Sequence, residues 1–264
     1  MLDGRPPPVG TNLVIWDGRE TTRKAIGRLR RQNKQVLREV DLDAPPGYLW
    51  LPFSMGSPVC WEMGQCEAIL RFCRVDIKSY QDQPWKYPML PMLMKKSGCT
   101  SDKVRSFLLS DLRDYRAYHP EEFLQPTGFI YHETRTGSTL VANMLAHVPT
   151  NLVASENRVS EEPIRSCSGC SRVQQVELLR DILPLLGRTT GGHTHSFFKL
   201  QDATSIPLMS EAFPEVPWIY LFRDPVEVMV SNLKARKMHC CDSHSYKCGW
   251  WHTPWMCPQF GCSS

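Results

Sequence analysis

The chain has 264 residues, 42% of them hydrophobic and 22% charged, the balance of an ordinary globular protein with enough apolar side chain to bury a core. No apolar run approaches the length of a membrane span, no leader or anchor is recognisable, and a net charge of +4 is too small to suggest nucleic acid as a partner. Cytoplasm is therefore the default compartment, and the length admits one large domain or a core with an N-terminal extension.

Residues 1–18 begin with the proline-rich MLDGRPPPVG and reach a short apolar piece at 13–16 that reads as a strand. From Glu20 to Val40 the pattern turns helical, with Ile26, Leu29, Val36, Leu37 and Val40 on one side and Arg and Lys residues around them, a solvated face above an apolar stripe. Residues 43–99 are rich in Pro, Trp and Met without sustained periodicity. They are expected to be irregular with short helices, with Trp50, Trp61 and Trp85 as packing anchors. Val104, Phe107, Leu108, Leu112 and Tyr115 then recur at helical spacing behind a cap at Thr100 or Ser101, which predicts a helix over 101–118.

From residue 126 the pattern changes. In FIYHETRTGSTLVANMLA, residues 129–146, an apolar run breaks into a polar loop and reopens as an amphipathic helix. Gly137 permits a tight turn, Ser138 and Thr139 offer hydroxyls, and the free N–H groups of a new helix end suit an anion such as phosphate. Further strands are expected at 151–155, 197–200 and 216–222. Helices are expected at 172–186, ended or kinked by Pro184, at 206–213, and after Pro225 at its favoured first position. Apolar strands alternating with helices imply an α/β core with a parallel sheet covered on both faces. The division expected is an extension over 1–125 and a core over 126–264. Ligands of such sheets sit beyond the carboxyl ends of the strands, where Glu133, Glu156, Lys199 and Arg223 fall.

An ATP-binding P-loop requires Gly-Lys-Ser/Thr, but this loop has no lysine, and its basic residue, Arg135, precedes Gly137 by two positions. That arrangement resembles the nucleotide-binding loop of sulfotransferases that use 3′-phosphoadenosine 5′-phosphosulfate. IYLFRDPVEVMVS, with Arg223 at a strand end and Ser231 eight residues on, resembles the same family's 3′-phosphate motif. The resemblance covers about residues 126–236. It implies a three-layer, P-loop NTPase-like fold and transfer of a sulfuryl group to a hydroxyl or amine acceptor, with no metal required.

In that reading the backbone N–H groups of Thr136, Gly137, Ser138 and Thr139, with the last two hydroxyls, hold the 5′-phosphate, and Arg135 neutralises charge on the bridging oxygen. Arg223 and Ser231 fix the 3′-phosphate. Glu156 is the expected base and Lys199 contacts the transferring group. Glu161 and Glu162 are runners-up for the base, and His193 and His195 lie in a glycine-bearing turn. Members of the family continue well past the Arg/Ser pair, whereas 33 residues follow Ser231 here, so the C-terminus is expected to be shortened. An incomplete or non-catalytic binding member is one alternative, and a nucleotide or sugar kinase another.

The eleven cysteines are scattered and odd in number, which favours free thiols in a reducing compartment. Cys167-Ser-Gly-Cys170 has the spacing of one zinc-ligand pair. Cys240, Cys241, Cys248, Cys257 and Cys262 crowd the C-terminus with His239, His244 and His252. A zinc site needs two well-spaced pairs and only one is clear, so no metal is expected.

Overall fold

The computed structural model describes residues 40–60, 66–99, 104–167, 169–190 and 192–234. The expected strand at 13–16, the basic helix from Glu20, Trp61, the cap at 100–101 and the C-terminal Cys/His segment lie outside the described residues. In chain order the elements are β1 (Tyr48–Met55), β2 (Val59–Cys60), β3 (Cys66–Glu67), β4 (Ile69–Asp76), α1 (Ile77–Asp82), α2 (Leu90–Lys96), β5 (Val104–Leu108) and α3 (Leu109–Tyr118). There follow β6 (Pro126–His132), α4 (Ser138–Ala146), β7 (Asn151–Ser155), α5 (Glu162–Arg165), α6 (Arg172–Leu186), β8 (His195–Leu200), α7 (Ile206–Ala212), β9 (Trp218–Leu221) and α8 (Pro225–Lys234).

The segment 43–99, expected to be irregular and helical, instead builds most of an antiparallel sheet in the order β1-β4-β5. Pro52 hides β1 from a periodicity reading, yet it and the prolines of the helical part of this segment fall where a proline is tolerated. Pro52 sits at a register shift in β1, and Pro84 and Pro91 occupy helix starts. The helix expected from residue 101 begins only at Leu109, because Val104–Leu108 pairs with β4 as a strand. Val104 and Leu108 fit a helical spacing and a strand alternation equally well, and pairing with a distant strand decides between them. Trp50 is buried, as an anchor should be, with Arg105 over its ring at 4.3 Å. Trp85, by contrast, is exposed.

After residue 126 the structure is mixed α/β, with a parallel four-stranded sheet in the order β7-β8-β6-β9 flanked by helices. All five residues of β7 are buried, as are Phe129, Ile130 and Tyr131 of β6 and Phe198, Lys199 and Leu200 of β8. α6 starts on a reciprocal cap between Ser171 and Gln174. Pro184 does not end it. The proline has no N–H for the carbonyl of Arg180, and Arg116 donates to that oxygen from Nη1 at 3.1 Å, so the last turn keeps its acceptor satisfied.

The chain divides into two compact units. Among the described residues, one covers those up to His132 and resumes over Gly137–Leu221, and the other comprises Glu133–Thr136 and residues 222–234. All three sheets belong to the first, and Leu42, Phe72, Phe107, Phe129, Phe198 and Phe213 share one apolar cluster within it. For the six described cysteines the free-thiol expectation is overturned. Cys60–Cys66, Cys73–Cys99 and Cys167–Cys170 are disulfide-bonded, the first two brought together by the antiparallel sheets and the turn that follows α2, which sequence spacing does not show.

Candidate functional site

The chain leaves β6 for β7, beyond β8, and leaves β8 for β9, beyond β6 on the other side. The pair β6 and β8 is therefore the point where the strand order reverses, and ligands of open α/β sheets lie past the carboxyl ends of such a pair. Lys199 stands one residue before the end of β8, directly across from Ile130 of β6 and Ser155 of β7. It is fully buried, and its ammonium donates to Glu156 Oε1 at 2.5 Å and to Thr139 Oγ1 at 3.2 Å. The cation absent from the loop sequence is thus delivered to the first turn of α4 by the neighbouring strand.

Gly137 caps α4 at φ 88°, and an added Cβ would meet nothing there, so the glycine answers to the backbone turn and not to crowding. No side chain caps this helix. The N–H groups of Leu140 and Val141 turn back to the Gly137 carbonyl. Ser138 is buried and Thr139 half-buried.

Glu156 follows β7 in a left-handed conformation, φ 50°, which costs about 1–2 kcal/mol in a residue with a Cβ. The conformation points its carboxylate into a ring of donors. Besides Lys199, Gln201 Nε2 donates to Oε2 at 2.5 Å and His132 Nε2 lies 3.6 Å from Oε1. Sequence reasoning missed His132 and Gln201. Both stand at the carboxyl ends of strands, the same rule that picked Glu156 and Lys199.

In the second unit, Arg135 adopts φ 61° and donates from Nε to Ser231 Oγ at 2.9 Å, while Arg223 Nη1 donates to the Arg135 carbonyl at 3.4 Å. Arg135 and Glu156 are the only non-glycine residues at positive φ among the described residues. Arg223 also pairs with Glu227 at 2.6 Å, and the Thr136 hydroxyl closes a turn onto the Glu133 carbonyl. Asp224 accepts from the N–H groups of Val226 and Glu227, which caps α8 behind Pro225.

The runner-up bases are committed elsewhere. Glu161 accepts from the N–H groups of Gln201 and Asp202 and pairs with Arg165, so it braces the residue whose side chain reaches Glu156. Glu162 accepts from the Met55 N–H. Burial raises both carboxyls above the usual range. His193 bonds Thr189 and Gln81, and burial lowers its basicity; His195 stacks on Phe197. A cavity of about 210 Å³ is lined by Phe53, Pro91, Met94, Lys95 and Cys99 together with Asn157 and Arg158, the two residues after Glu156.

No protein-family model, curated protein or solved structure matches the chain. No helix among the described residues is long and apolar enough to cross a membrane.

Proposed function

We propose that this chain is a sulfotransferase that takes a sulfuryl group from 3′-phosphoadenosine 5′-phosphosulfate and passes it to a hydroxyl or amine acceptor, on a P-loop-like α/β fold. The observation that carries the reading is the meeting of Arg135 with Ser231 and Arg223. These residues come from two motifs selected in the sequence for one nucleotide, and chance gives no reason for them to touch.

The chemistry follows from the side chains. Arg223 and Ser231 bind the 3′-phosphate, exchanging the Glu227 and Arg135 partners they hold at rest. Gly137, Ser138 and Thr139 present the helix end to the 5′-phosphate, and Lys199 offsets charge that develops on the sulfuryl oxygens. The acceptor oxygen or nitrogen attacks sulfur, the sulfur–oxygen bond to the phosphate breaks with its electron pair on the departing bisphosphate, and the acceptor's proton passes to Glu156. An ionised carboxylate keeps lone pairs beyond those Lys199 and Gln201 occupy. The cavity beside Asn157, apolar with Lys95 and Arg158 at its wall, suits an acceptor with an aromatic or acidic body.

Calorimetry with adenosine 3′,5′-bisphosphate tests this directly. Replacing Arg223 with Ala removes charge-assisted hydrogen bonds of about 1.5–3 kcal/mol, so binding weakens by about 10- to 150-fold. A folded protein that does not bind the bisphosphate refutes the reading. A second reading, a nucleotide kinase, draws on Lys199 beside Thr139, since a terminal phosphate of ATP suits the same pair. Protection from thermal unfolding by Mg-ATP and not by the bisphosphate decides for it. Bisphosphate binding without labelled sulfate transfer to any acceptor leaves the non-catalytic binding protein.

A further inference from the structure

Cys60 and Cys66 face each other across β2 and β3, and the loop after α5 brings Cys167 and Cys170 against them from more than a hundred residues away. Cys60 Sγ lies 3.1 Å from Cys170 Sγ and 3.8 Å from Cys167 Sγ, and the sulfurs of Cys60, Cys66 and Cys170 all lie within 4.8 Å of one another. Cys66 and Cys167 are buried and the other two half-buried. We propose that, in their reduced form, these four thiols make a tetrahedral zinc site.

The geometry suits the ion. Four thiolates about 2.3 Å from zinc have sulfur–sulfur edges of about 3.8 Å, the scale of this cluster. The ligands come as Cys-x5-Cys and Cys-x2-Cys, the two pairs a structural site requires and of which the sequence displayed only the second. Cross-linking alone does not account for the cluster. Bonds between residues six and three apart close very short loops and constrain the unfolded chain least. Neither disulfide joins the two segments, whereas one metal ion joins both. It would tie β2 and β3 to the segment that follows Glu156, and so hold the wall of the candidate acceptor site in place.

The exchange balances. Each disulfide takes two electrons and two protons from a dithiol reductant, which leaves as its own disulfide. The four thiols then release four protons to bind one Zn²⁺ and form a thiolate complex of charge 2−. Affinity accordingly rises with pH.

The test uses the full chain reduced with a phosphine, which competes little for the metal. Zinc alone is added, and alkylation of every cysteine is followed by mass spectrometry. The expected result is that zinc slows modification of Cys60, Cys66, Cys167 and Cys170 about tenfold or more, and leaves Cys73 and Cys99 unchanged. Equal rates at the four with and without zinc overturn the proposal. Cobalt(II) gives a second readout: the reduced protein shows the thiolate charge-transfer and visible bands of tetrahedral coordination. Cys60→Ser and Cys170→Ser lose them, while replacement of the five C-terminal cysteines with Ser does not. Bands that survive in Cys60→Ser and vanish with the C-terminal replacements also overturn it.

Discussion

Replacing Lys199 with Met tests whether its ammonium is the charge around which Glu156 is arranged. The lysine is fully buried, the carboxylate it meets at 2.5 Å is only 10% exposed, and in its absence Glu156 retains Gln201 and, at 3.6 Å, His132. Stranding a buried carboxylate in this way costs about 3–5 kcal/mol, a large part of the about 5–15 kcal/mol that holds a typical domain together. Glu156→Gln removes the opposite charge and leaves Lys199 with the Thr139 hydroxyl and an amide oxygen. The double variant carries neither charge. Its loss should be smaller than the sum of the single losses by about 2 kcal/mol, within the usual coupling of contacting residues. Urea unfolding of all four proteins at pH 7, with unchanged m-values, gives the cycle. If the two losses add within about 0.5 kcal/mol, Lys199 and Glu156 are not coupled and the reasoning about the site fails.

Two further outcomes follow, one at Glu156 and one at His193, which lies beyond the amino end of β8. Glu156→Gly and Glu156→Ala both delete the carboxylate, but only glycine is at ease at φ 50°, so the Gly variant should be more stable than the Ala variant by about 1 kcal/mol in urea unfolding; equal stabilities would show that the turn relaxes. His193 accepts from Gln81 Nε2 and donates from Nδ1 to Thr189, so the folded state holds a neutral ring and burial depresses its pKa. The stability it contributes is present above its unfolded value of about 6.5 and is lost as pH falls through the lower folded value. The stability difference between the wild-type protein and His193→Gln should therefore shrink between pH 7.5 and pH 5. A difference constant over that range would count against a neutral buried ring.

The parallel half of the fold was legible because its strands read as unbroken apolar runs between helices, buried in β6, β7 and β8 and partly exposed in the edge strand β9. Residues 151–155 form β7 with the expected bounds, and α6 spans 172–186 as its stripe requires. The antiparallel half was not legible, since Pro52 interrupts β1 at a register shift and the exposed arginines of β4 fall at every third position, Arg71 and Arg74, where a half-buried strand would alternate. Glu156 and Lys199 could be chosen from their places at strand ends, but their hydrogen bond depends on which strands are neighbours, and strand order is not written in local periodicity. His132 and Gln201 stand at strand ends as well and were open to the same rule; only their approach to Glu156 depends on strand order. The Cys60 and Cys66 pair was invisible because its partners lie in another segment and only the folded chain sets the four sulfurs side by side.

The order β7-β8-β6-β9 also has a consequence for how the chain is made. β6 is the first strand of its sheet to leave the ribosome and the last to be enclosed, because its neighbours, β8 and β9, are translated after β7. At about 5–20 residues per second, Ile130 waits on the order of seconds for the stretch around Lys199, and longer for Ile219. During that wait a run of Phe129, Ile130 and Tyr131 has no partner on either side. The nascent chain therefore depends on the antiparallel sheet already formed ahead of it, or on a chaperone, to keep that strand from other strands in the cell.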